Sequence, residues 1–95
     1  MKTYGILPAA LDCARDLGYR TMTRRDVAEY ANCAESLISH ILGDMEQVRT
    51  EVMRYAVQMK DPIVVAQGVF FQHPLALKAD DSLKQAAVDL IVVRG

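Results

Sequence analysis

Between positions 15 and 25 this chain sets four arginines, Arg15, Arg20, Arg24 and Arg25, against one acid, Asp16. Guanidinium groups meet phosphate oxygens through paired N–H donors, so the stretch suits anchoring to a polyanion. Thr23 stands where a helix is expected to begin. A hydroxyl and exposed backbone amides at the positive end of a helix dipole make a second phosphate-binding element. Further on, Glu35, Ser36, Ser39 and His40 share one face of a short helix. Serine can bond phosphate or base, glutamate can accept from a cytosine amine, and histidine can do either. Leu37, at the edge of that face, can touch a thymine methyl. No paired carboxylates, nucleophile with its base or phosphate-cradling glycine loop can be read, so the expectation is a binding protein and not an enzyme. Cys13 and Cys33 fall outside any CxxC pair or zinc-ligand spacing, so neither a disulfide, a metal site nor a cofactor is expected.

The elements that must position these groups read as helices. Leu7, Ala10, Leu11, Ala14 and Leu17 recur at steps of three and four, which predicts a helix over about 8–17, with Pro8 in its first turn and Gly18 at its end. Thr23-Arg24-Arg25-Asp26 has the spacing of a capping box and starts a second helix running to Ala31, which buries Val27, Ala28 and Ala31. Asn32 tolerates the left-handed conformation needed to leave that helix, so Asn32-Cys33-Ala34 is a tight turn. A third helix spans Glu35 to Leu42 with Leu37, Ile38 and Ile41 inward, and Gly43 stops it. Asp44 caps a fourth that runs to Lys60 and carries Val48, Val52, Tyr55, Ala56 and Met59 in one stripe.

Asp61-Pro62 marks a boundary. Residues 63–71 are rich in β-branched side chains and could pass for two strands joined at Gln67-Gly68; a lone hairpin is poorly supported, so a buried helix closed by His73-Pro74 is preferred. After a short piece over 75–79, Asp80-Asp81-Ser82 offers caps for a last helix with Leu83, Ala86, Ala87, Leu90 and Ile91 inward. The fold class is all-α: a helix-turn-helix segment over 1–60 and a short apolar helical segment over 61–95, together one small domain.

Two short helices joined by a three-residue turn and braced by a longer helix form the arrangement that lays a recognition helix in the DNA major groove. Residues 6–52 resemble the DNA-binding segment of TetR-type transcriptional regulators. The residues carrying the resemblance are Ile6-Leu7 and Ala9-Ala10-Leu11, then Gly18-Tyr19, Thr23, Arg25-Asp26-Val27-Ala28-Glu29 and Ala31, and last Ile38, His40, Gly43 and Glu46. The resemblance implies a sequence-specific DNA-binding regulator of transcription. Its contacts to double-stranded DNA would come from Arg20, Thr23, Arg24, Arg25, Glu35, Ser36, Leu37, Ser39 and His40.

Such regulators generally carry a long helical ligand-binding and dimerising region after these helices. Here residues 62–95 follow, and two short helices can hardly enclose the ~300 Å³ a ligand pocket needs, so no small-molecule effector is expected. The segment is very apolar, which predicts a homodimer through Ile63, Val64, Phe70, Phe71, Leu90 and Ile91, meeting a palindromic operator with half-sites about one helical turn apart.

The chain has Asn32 where the family usually has glycine, Leu37 where it has a small hydroxyl, Ser39 and Ile41 where it has aromatics, and Met45 where it has a phosphate-binding lysine. Together with a net charge of -1, these departures support an alternative: a protein-interaction module on a helix-turn-helix scaffold, binding another regulator or a polymerase subunit through its C-terminal helices. The near balance of 11 basic and 12 acidic side chains excludes indiscriminate coating of nucleic acid or membrane. With 95 residues, 52% of them apolar, the chain should fold. The absence of a signal-peptide pattern or spanning segment predicts a soluble cytoplasmic protein.

Overall fold

Apolar spacing and side-chain caps decide where each helix starts and stops. The computed structural model describes the backbone of residues 5–94 and the side chains of residues 5–90, and among these the chain is all-α, without strands. The helices are α1 (Ile6–Leu17), α2 (Arg24–Ala31), α3 (Glu35–Leu42), α4 (Met45–Gln58), α5 (Pro62–Phe70), α6 (Pro74–Leu77) and α7 (Asp81–Arg94). The chain divides into two units, Met1–Val52 and Met53–Gly95. That division falls inside α4, earlier than the 60/61 boundary drawn from the Asp61-Pro62 signal, because α4 is one continuous helix whose two halves serve different units.

In the first unit, α1 buries Ile6, Ala10, Leu11, Cys13 and Ala14 and ends at Gly18, whose φ of 88° is a conformation that a side chain disfavours. α2 packs against α1 and α3. Its capping box is complete: the Asp26 N–H donates to Thr23 Oγ1 at 3.1 Å, and the Thr23 N–H donates to Asp26 Oδ2 at 2.9 Å. The left-handed exit expected of Asn32 is present at φ 54°, with the Cys33 N–H closing onto the Ala28 carbonyl at 3.0 Å. α3 buries Ile38 fully, while Leu37 and Ile41 are half-buried, because one turn of a two-turn helix can face inward and its flanks cannot. Asp44 and Gln47 cap α4 reciprocally, at 2.9 and 2.8 Å, ahead of the buried Val48 and Val52.

In the second unit the stripe drawn on α4 needs correction. Met53 is fully buried, whereas Met59 is 57% exposed and Tyr55 half-buried. α4 ends at Gln58, and Lys60 at φ 56° turns the chain away. Asp61 then caps α5 from a buried position, accepting the N–H groups of Ile63 at 3.0 Å and Val64 at 3.2 Å, with Pro62 first in the helix. Residues 63–70 are thus helix, not hairpin, and α5 packs against α6 and α7. Gly68 marks the closest approach, since a Cβ there would lie 2.6 Å from Ala76 Cβ and 2.7 Å from Met53 Sδ. His73 Nδ1 accepts the Leu75 N–H at 3.2 Å and caps α6. α7 starts behind Asp80, which accepts the Leu83 N–H at 2.9 Å, and buries Leu83 and Ala87 while leaving Ala86 exposed.

Candidate nucleic-acid interface

The residues expected to contact DNA lie in the first unit. Thr23 is exposed at the start of α2; its oxygen accepts from Asp26, which leaves the hydroxyl proton to donate outward. Arg25, one residue into the same turn, is 78% exposed and meets Glu29 at 3.6 Å. An exposed pair of that length contributes about 0–1 kcal/mol and is readily exchanged for another anion. Arg24 is half-buried, and its Nε is buried without an acceptor among the described residues. Arg20 is exposed in the loop after α1 and is tied to the buried Tyr19: burial raises the phenol above its ordinary pKa, and Arg20, which hydrogen-bonds it, opposes that rise. Arg15, counted with the basic stretch, is bound to Asp12 at 2.8 Å, so its charge is partly met within α1.

On α3, Glu35, Ser36 and His40 are exposed and Ser39 and Leu37 are half-buried. Ser36 and His40 lie on the helix face turned away from Ile38, Ser39 lies at its edge, and Glu35, one turn before Ile38, is exposed at the helix start. The N-cap of α3 is Ala34, which has no side chain to cap with; the Glu35 carboxylate in the first turn is the element that favours the helix dipole there.

Arg49 was not singled out by sequence reasoning. Its Nε–H donates to the Tyr19 carbonyl at 3.2 Å and Nη1 meets Glu46 at 2.9 Å, so it pins α4 to the loop that carries Arg20. The i, i+3 spacing to Glu46 was a readable signal; the link to Tyr19, thirty residues away, was not. Tyr30 donates its hydroxyl to Asp16 at 2.9 Å and joins the exposed sides of α1 and α2. Burial pushes the Cys13 thiol up to about 11, and the two acids Asp26 and Asp16 push the same way, so this cysteine is a packing residue. Both thiols are free.

In the second unit, Phe70 is 67% and Phe71 51% exposed, their rings edge-on at 5.0 Å, and Ile63 shows at the surface one heptad before Phe70. Val64 differs from the interface expected of it: it is fully buried and serves the core of its own chain. Leu90 is half-buried, and the Ile91 side chain lies outside the described residues. Among the described residues no helix is long and apolar enough to cross a membrane. Comparisons with protein-family models, with curated proteins and with solved structures find no match to this chain.

Proposed function

We propose that the chain is a minimal TetR-like, sequence-specific DNA-binding regulator of transcription that acts in the cytoplasm as a homodimer, without enzymatic activity, cofactor or small-molecule effector. The observation that carries the reading is the sequence of a boxed α2 start at Thr23, a left-handed turn at Asn32 and an α3 whose polar face is turned outward. That order is what a recognition helix needs in order to enter a major groove while the preceding helix end holds the backbone. Thr23, Arg24 and Arg25 bind phosphate, with Arg20 beside them, and an acceptor brought to this helix end gives the guanidinium of Arg24 the partner that its Nε lacks. Glu35, Ser36, Ser39 and His40 read base edges, and Leu37 borders them. The Phe70–Phe71 edge with Ile63 joins two copies, so that two recognition helices meet a palindromic site.

One observation favours the alternative, a protein-interaction module: the first 52 residues hold six basic and eight acidic side chains, a poor balance for a surface that must approach DNA. The two readings separate in one experiment. Duplexes selected from a random pool are titrated with the protein and its variants by fluorescence anisotropy. On the DNA reading, Arg24→Ala/Arg25→Ala weakens binding to all duplexes alike, and His40→Ala or Ser39→Ala changes the preferred sequence. Identical behaviour of the two variant classes contradicts the assigned docking, and selection of no duplex favours the interaction module.

A further inference from the structure

We infer that the groove between the end of α3 and the outer face of α4 docks a cationic, apolar segment of a partner protein. This is a surface of the first unit, distinct from the polar face of α3, and the inference does not depend on DNA binding. The groove has a volume of about 380 Å³ and is lined by Ile41, Leu42, Glu46, Gln47, Thr50 and Glu51. The four α4 residues follow i, i+1, i+4, i+5 spacing, a stripe opposite the buried Val48 and Val52. Ile41 and Leu42, both half-buried, give the groove its apolar end.

Charge identifies the occupant. Every ionisable side chain that lines the groove is a carboxylate, and they belong to the unit with the acidic excess. Glu46 keeps a 78% exposed side chain even while it meets Arg49, whose guanidinium is also drawn to the Tyr19 carbonyl. Such a rim repels nucleic acid and acidic peptides and attracts lysine or arginine. The groove is open to solvent, so it cannot enclose the 70–90% of a small molecule's surface that tight binding of such ligands requires. A chain segment has no such need, because it extends past both ends. A lysine or arginine beside Glu46 and Glu51, next to a leucine-sized side chain over Ile41 and Leu42, satisfies both halves of the lining.

The test uses fluorescently labelled eight-residue peptides titrated into the full chain: alternating leucine and lysine, alternating leucine and glutamate, and lysine with serine. Binding by the leucine–lysine peptide alone, weakened by added salt, is expected. Glu46→Gln/Glu51→Gln should weaken it about five- to tenfold. Thr50→Lys, which sets a cation in the groove, should do the same, and circular dichroism melts identify any variant that fails to fold. Phe70→Ser/Phe71→Ser should leave peptide affinity unchanged. Equal binding of the lysine–serine peptide reduces the effect to bulk charge and overturns the proposal. So does binding that survives both groove variants, loss of binding in the phenylalanine variant, or no binding by any peptide at millimolar concentration.

Discussion

Thr23 combines two roles that single substitutions can separate. It caps α2 by accepting the Asp26 N–H at 3.1 Å, and its remaining hydroxyl proton faces solvent, where the proposed phosphate would sit. Thr23→Ala removes both, and loss of the cap should lower stability by about 1 kcal/mol. Thr23→Asp keeps the cap, since an aspartate oxygen accepts the same N–H and its charge suits the helix dipole; repulsion from Asp26 offsets part of that gain. Its stability should lie within about 0.5 kcal/mol of the parent. The proposed DNA binding should respond in the opposite way. The aspartate has no proton to donate and sets an anion against the phosphate. Loss of a hydrogen bond to a charged acceptor, worth roughly 1.5–3 kcal/mol, predicts a fall in affinity of about 10- to 100-fold for each protomer's contact, and repulsion adds to it. Urea unfolding and anisotropy on the same preparations give both quantities. A Thr23→Asp protein that is as stable as the parent and binds DNA as tightly would refute the placement of this helix end on a phosphate. Equal destabilisation by aspartate and alanine would refute the capping argument.

Three further outcomes follow from the second unit. Phe70→Ser/Phe71→Ser removes the exposed aromatic edge and should weaken self-association more than tenfold in sedimentation equilibrium, with the melting temperature of the single chain little changed. Gly68→Ala sets a Cβ 2.6 Å from Ala76 Cβ; overpacking of about 1–3 kcal/mol outweighs the gain in helix propensity of about 1 kcal/mol, so urea unfolding should show a loss that adding Ala76→Gly partly restores. The Leu83 N–H, and next the Ser82 hydroxyl, hold the Asp80 carboxyl below its ordinary 3.8. A depressed folded pKa gives stability that is complete above the unfolded value of about 3.9 and lost as pH falls through the folded one. Asp80→Asn should remove that pH dependence by lowering stability in the neutral region, where the carboxylate's contribution is complete, and leave the acid limit nearly unchanged.

The helix ends were legible because they are local. Thr23 with Asp26, Asn32, and Asp61 with Pro62 act within four residues of themselves, and each does in the structure what its side chain permits. The exposed face of α3 was legible for the same reason, since Ile38 alone sets which way a two-turn helix faces. Long-range choices were not. Periodicity on α4 marks Val48, Val52 and Ala56, which are buried, but shows neither that the stripe stops short of Met59, since the helix ends at Gln58, nor that Met53 joins it. Nothing local shows that Arg49 reaches the Tyr19 carbonyl, or that Phe70 and Phe71 stay outside while Val64 takes the core. An apolar run signals burial without naming which of its members are buried within the chain.

The central claim, that this helix-turn-helix carries phosphate contacts at the start of α2, is tested most directly by the salt dependence of binding to a selected duplex. Each phosphate neutralised releases counterions and contributes about -0.9 to the slope of log K against log salt. Arg24 and Arg25 from two protomers should therefore contribute about -4 to the slope, a share that is lost in Arg24→Ala/Arg25→Ala. No binding at low ionic strength, or a slope that the double substitution leaves unchanged, would contradict it.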